Sequence, residues 1–274
     1  MPELSILMPM VAMILIAGAF AGVMAGLLGV GGGIILVPAY FYIFSSLGYG
    51  GDQIMQICLA TSLATIIVSS LRSVTSHHKK GAVQWEILRG FAPGIVLGAA
   101  ISVLVAASLQ SVVLQFIFGV LGIIIGLYMA LGRDSWRLGN EMPAGFRRAI
   151  IAPIIGFLSV LMGIGGGSFG VPLMSLHGVP IRRAVATAAG FGVLIAVPSV
   201  LGFLFVEIPQ SSRPPFTIGA VNIPALVLTI SMTLITAPFG VKLAHVMNPK
   251  LLKRVFAAFL VLVALNMLRT AFGF

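Results

Sequence analysis

Charge is scarce in this chain, and carboxylates are the scarcest of all. Its 274 residues hold six Asp or Glu against sixteen Lys or Arg, and a single cysteine. That lone thiol, Cys58, excludes an internal disulfide and a cysteine-based metal site. No polar stretch is long enough for a water-soluble domain, and 8% of residues are charged while 59% are hydrophobic, so a soluble fold could not cover the chain with polar surface. The mean hydropathy of +1.15 and recurring apolar runs near the ~20 residues that cross a bilayer make it one membrane-embedded unit. Basic residues are also missing from Met1-Pro2-Glu3-Leu4-Ser5. The first apolar segment therefore lacks the basic start of a cleavable signal peptide and is read as spanning or re-entrant.

What is present is a pattern used twice. The run Leu27-Leu28-Gly29-Val30-Gly31-Gly32-Gly33-Ile34-Ile35-Leu36-Val37-Pro38 returns as Leu161-Met162-Gly163-Ile164-Gly165-Gly166-Gly167-Ser168-Phe169-Gly170-Val171-Pro172, identical at seven of twelve positions. Apolar runs set against breakers give ten segments, roughly 6–29, 33–48, 54–76, 86–107, 110–131, 147–163, 167–177, 181–206, 218–245 and 250–272. Five fall in each half. The two short ones, 33–48 and 167–177, each follow a triple glycine, and at ~1.5 Å per residue the second spans about half the hydrocarbon thickness.

Lys and Arg set the orientation. Lys79-Lys80 and Arg133/Arg137/Arg147/Arg148 are separated by two full spans and share one side, taken as cytoplasmic. Each glycine-linked pair contributes an even number of crossings whether it spans twice or re-enters. Arg182-Arg183 and Lys242/Lys250/Lys253/Arg254 then fall on the same side, and with Arg72 and Arg89 this places 14 of 16 basic residues inside, leaving Arg213 and Arg269 outside. The net charge of +10 thus reads as topology and not as a nucleic-acid surface. The expected location is the bacterial inner (plasma) membrane, with both termini on the external side.

Three correspondences define the repeat: the glycine motifs, Ala60-Thr61 with Ala186-Thr187, and Gly81-Ala82-Val83 with Gly219-Ala220-Val221. An odd number of segments per half gives the halves opposite orientation. The expected fold is an all-α polytopic integral membrane protein with two inverted repeats of about five helical segments, discontinuous or re-entrant at the glycine motifs. Residues 1–132 form the first repeat, 133–146 a cytoplasmic basic linker and 147–274 the second repeat.

A helix that starts inside the bilayer exposes N–H groups with no intrahelical partner, and its macrodipole puts about half a positive charge there. An anion satisfies such donors, and glycine lets it approach the backbone. The expected site is therefore Gly31, Gly32 and Gly33 facing Gly165, Gly166 and Gly167. Gly29, Pro38, Gly163 and Pro172 serve as helix breaks, the prolines freeing the carbonyls of Ile34 and Ser168. Packing is the competing reading for any one glycine: Gly22/Gly26, Gly94/Gly98 and Gly122/Gly126 are small-xxx-small pairs, and Gly29/Gly33 and Gly163/Gly167 share that spacing. Ser168 is the best-placed hydroxyl. Thr61, Ser62 and Thr187 are further candidate donors, against the alternative of bonding the carbonyl one turn back. His77, His78, His177 and His245 sit at interfaces. All six carboxylates, Glu3, Asp52, Glu86, Asp134, Glu141 and Glu207, fall in or beside loops, which argues against a carboxylate proton or sodium relay.

With these motifs the chain resembles the TauE/SafE family of permeases, also called the sulfite exporter family, over nearly its whole length. The resemblance rests on the two Gly-x-Gly-Gly-Gly elements with their prolines, the Ala-Thr of the third segment and the loop Ser76-His77-His78-Lys79-Lys80-Gly81-Ala82-Val83. It implies a secondary transporter that moves sulfite, a sulfoacetate-like organosulfonate or a related sulfur oxyanion outward by alternating access. An anion channel, or a permease for another small organic anion such as a carboxylate, is the alternative. An intramembrane enzyme is disfavoured, since no carboxylate pair, His cluster or Ser/His/Asp set lies at membrane depth. No cofactor or metal is expected. The bilayer and a small anion are the expected partners, and lipid-facing small-residue pairs allow a homodimer as readily as contacts within one copy.

Overall fold

The computed structural model describes residues 4–28, 32–132, 136–210, 212–246 and 249–273. Ten helices occupy them: α1 (Leu4–Leu28), α2 (Gly33–Ser46), α3 (Ile54–Lys79), α4 (Trp85–Ser108), α5 (Ser111–Leu131), α6 (Gly145–Leu161), α7 (Gly167–Leu176), α8 (Ile181–Phe203), α9 (Ile223–Val246) and α10 (Pro249–Ala271). Each matches one of the ten apolar segments. The ninth segment starts late, because 217–222 folds as a short antiparallel hairpin, β1 (Thr217–Ile218) and β2 (Val221–Asn222), turning at Gly219 with φ +55°. Seven helices, α1, α3, α4, α5, α8, α9 and α10, are long and apolar enough to cross a bilayer. The protein is all-α and polytopic.

Helices pair across the halves. α4 and α6 run parallel in a groove made by glycine: a Cβ on Gly94 would lie 2.6 Å from that of Ala152, and one on Gly98 or Gly156 would run into the Pro153 or Ile95 carbonyl. Ser102 Oγ donates to the Phe157 carbonyl at 2.8 Å beside this contact. α1 and α9 form the matching parallel pair, with the Cβ positions of Gly18 and Gly22 lying 3.1 Å and 2.8 Å from the Thr229 and Thr233 Cα atoms. α5 and α10 run antiparallel, Gly122 facing Ala264 and Gly126 facing Val261. For these glycines the packing reading applies. α3 and α8 pair at the centre, with α2 against α3 and α7 against α8. Exchanging α1–α5 for α6–α10 turns each of these pairs into another that is also present. Side chains such as Leu104, Ile16 and Leu262, 74%, 70% and 67% exposed, give the outside the apolar surface that a bilayer solvates.

The third correspondence of the repeat has a physical basis. Thr61 of α3 accepts the Asn222 N–H at 3.0 Å, and Thr187 of α8 accepts the Gln84 N–H at 2.9 Å. Each threonine thus takes up an orphan donor at the start of a helix in the other half, α9 or α4. Neither bonds back one turn through its hydroxyl; that bond is made by Thr65, to the Thr61 carbonyl. Thr61→Val leaves a buried N–H unsatisfied, and Thr187→Val a partly buried one. Each is expected to cost about 1–3 kcal/mol in an unfolding assay, with Thr→Ser close to wild type.

Candidate substrate site

α6 ends in a Schellman cap. Gly163 adopts φ +60°, its N–H reaches the Val160 carbonyl at 2.9 Å, and the Ile164 N–H reaches that of Ser159 at 2.9 Å. These are the bonds that close a helix with glycine in the left-handed region. α7 starts at Gly167, four residues after Gly163, and returns to the face from which α6 began: the Leu138 N–H, in the linker before α6, donates to the Leu176 carbonyl at 2.8 Å, and Arg137 donates to the Ser175 carbonyl at 3.2 Å. The pair α6–α7 is re-entrant. Its tip, Leu161 to Ser168, is buried throughout.

Both short helices begin on glycine, Gly32 before α2 and Gly166 before α7, and neither start has a side-chain cap. The first N–H of α7 to reach a carbonyl is that of Gly170, to Gly166 at 2.8 Å; in α2 the N–H groups of Ile35 and Leu36 share the Gly32 carbonyl at 3.0 Å. Ahead of these, the N–H groups of Gly167, Ser168 and Phe169, and of Gly33 and Ile34, have no acceptor among the described residues. Ser168 Oγ is buried and equally without a partner among them. The two motifs meet: a Cβ on Gly33 would lie 2.7 Å from the Gly163 carbonyl oxygen and 3.1 Å from the Ile164 Cα. Gly29 and Gly31 lie outside the described residues.

One stripe of α3 runs along the second motif. Ser62 Oγ donates to the Gly163 carbonyl at 2.7 Å, so its proton is committed to the break. Ile66, one turn on, comes within 3.3 Å of a Cβ placed on Gly165, and Ser70, a further turn on, abuts Gly192 of α8 beside the Gly166 N–H. Ser70 and Ser159 were missed from the sequence. Ser159 Oγ is buried without a partner among the described residues, and for Ser70 the Ser62/Ile66/Ser70 spacing of four is the available signal. Pro38 and Pro172 are not breaks, because α2 and α7 continue through them. Of the expected hydroxyls, Ser168 has no partner among the described residues, whereas Thr61 and Thr187 each hold an N–H on the oxygen and keep the proton to donate.

Two cavities lie elsewhere. One of about 660 Å³ is lined by Gln53, residues 204–210, Arg213 and Gly219, and one of about 410 Å³ lies between α1, α2 and α10. His177 caps α7 with Nδ1 2.8 Å from the Leu173 carbonyl. Asp52, Glu86, Glu141 and Glu207 sit in loops or a first helical turn, away from the helix breaks. Cys58 is buried in α3 as a small apolar residue.

Residues 14–267 match the family described as Sulfite exporter TauE/SafE. A probable membrane transporter protein of Haemophilus influenzae is 30% identical over 253 residues, covering 92% of this chain and 96% of its own. A second, from Methanocaldococcus jannaschii, is 26% identical and covers 97% of both chains. A third, from Bacillus subtilis, is 31% identical over 64% of this chain and 71% of its own. No solved structure gives a significant match. Paired helices with a re-entrant tip at α6–α7, an apolar exterior and this family match place the chain among integral membrane transporters, and it belongs to the TauE/SafE family.

Proposed function

We propose that the protein exports a small oxyanion, of the sulfite or organosulfonate class, through a site built from the starts of α2 and α7. The observation that carries this is the pair of glycine-started, uncapped helix ends, the first of them packed on the second glycine motif at Gly163 and Ile164, with the Ser168 hydroxyl without a partner among the described residues beside the other. Buried N–H donors left open are costly, and an oxyanion offers several acceptors at once. The exchangeable packing supports two inverted repeats, 1–132 and 147–274, joined by a basic linker. Each tip then enters from a different side, and opening one tip while the other stays closed is alternating access. Export needs no coupling carboxylate, since a potential negative inside favours exit of an anion by ~2.3 kcal/mol per charge per 100 mV.

Gly165→Ala separates the substrate reading from packing. Its Cβ would meet nothing nearer than Ile66 at 3.3 Å, so folding is expected to survive. Sulfite or sulfoacetate should stabilise the wild type by mass action, about 2.7 kcal/mol at a hundredfold excess over Kd, with acetate as control. The variant is expected to lose that stabilisation and the flux into proteoliposomes. Normal flux in a normally folded Gly165→Ala protein would return the motif to packing, as would stabilisation by cations or neutral solutes alone.

A further inference from the structure

We infer that the parallel starts of α4 and α6 hold the phosphate of an anionic membrane lipid on Arg148 and Arg89. The guanidinium of Arg148 lies across α4 at Gly90, where a Cβ would be 2.5 Å from its Nη1 and 3.3 Å from its Cζ. Arg147 precedes it in the first turn of α6, which contains no carboxylate, and neither α4 nor α6 has a side-chain cap. A cation is least favourable at the positive end of a helix, and here two helices bring those ends together. Glu86 in the first turn of α4 and Asp134 and Glu141 in the linker are the nearby acids by sequence, Asp134 lying outside the described residues. No carboxylate stands within ion-pair distance of Arg89, Arg147 or Arg148 among the described residues.

Packing does not require the arginine. In the matching α1–α9 pair Gly18 takes the place of Ala152, and one turn earlier Ile14, fully buried, takes the place of Arg148. The same helix pairing is thus built with a hydrocarbon side chain on one side and a guanidinium on the other. Below the arginines the outer faces are apolar: Phe146, Ile150 and Ile154 of α6, and Leu97 and Ile101 of α4, are all exposed. A headgroup phosphate on the guanidinium fork would lay its acyl chains along that face, a charge-plus-hydrocarbon arrangement that free phosphate cannot fill.

The test uses the purified protein in neutral detergent, titrated with phosphatidylglycerol, with phosphatidylcholine of the same chains, or with inorganic phosphate, and read by thermal unfolding and native mass spectrometry. Phosphatidylglycerol alone is expected to stabilise it. Arg148→Gln and Arg89→Gln are each expected to weaken that effect about fivefold, while Arg182→Gln, on an exposed arginine of α8, leaves it unchanged. Equal effects of the two lipids, equal loss in Arg182→Gln, an undiminished preference in folded Arg89→Gln, or a full shift with inorganic phosphate would each overturn the site.

Discussion

Gly166→Ala yields no folded transporter. Its Cβ would fall against Phe191 Cβ, the Ala188 carbonyl at 2.8 Å and the Gly192 N–H at 2.9 Å. These are fixed atoms of α8, so no rotamer change makes room. Ordinary overpacking costs ~1–3 kcal/mol because side chains can yield. Here the backbone itself must move, and the expected cost exceeds that range, against a total stability of ~5–15 kcal/mol. Yield and monodispersity on size exclusion read the outcome, and a monodisperse, wild-type yield would show that α7 can lift off α8. Gly32→Ala, whose Cβ has its nearest neighbour at 3.2 Å in Ala21, should remain folded. The two triple glycines are therefore unequal in what they tolerate.

Ser168→Ala is expected to move stability and affinity in opposite directions. The buried hydroxyl has no partner among the described residues, so removing it relieves an unmet polar group and should stabilise the empty protein by about 1 kcal/mol. In a protein of this size that raises Tm by about 2–4 °C. If the hydroxyl donates to the bound anion, its loss removes a charge-assisted hydrogen bond of ~1.5–3 kcal/mol, about 10- to 100-fold in affinity. Ser168→Thr, which keeps the hydroxyl, should bind more tightly than Ser168→Ala. A variant that becomes more stable yet keeps its affinity for sulfite or sulfoacetate would remove Ser168 from the site. A purely structural serine would instead lose stability on truncation.

Most helices were legible because apolar runs and breakers are one-dimensional signals: a run near 20 residues, or a triple glycine ahead of a short one, says where a helix crosses or stops. Partners across the bundle were not legible. The sequence offers Thr61 and Thr187 as donors toward an anion, and only the packing reveals that each also accepts an N–H, from Asn222 or Gln84, which fixes where its oxygen sits. Ser62 was likewise offered to substrate, although its proton goes to Gly163. Pro38 and Pro172 read as breaks because proline interrupts a bonding ladder. Each is the sixth residue of its helix and removes one bond, to Ile34 or Ser168, while the helix continues through it. Gly163 and Gly166 also look alike in sequence. One supplies a left-handed cap and the other a close approach, a distinction that needs coordinates.

The pairing of α1 with α9 has a consequence for biosynthesis. The groove at Gly18 and Gly22 finds its cover in Thr229 and Thr233, about two hundred residues downstream. At ~5–20 residues per second, α1 has to wait about 10–40 s in the bilayer before its partner has been made. During that interval α2 can pack on α1, but the Gly18/Gly22 face has not met its partner and offers close contact to any other helix that passes. A nascent chain stalled before α9 would carry an open docking groove, which makes the second half of this protein a cover for the first as well as its counterpart in the pairing of helices.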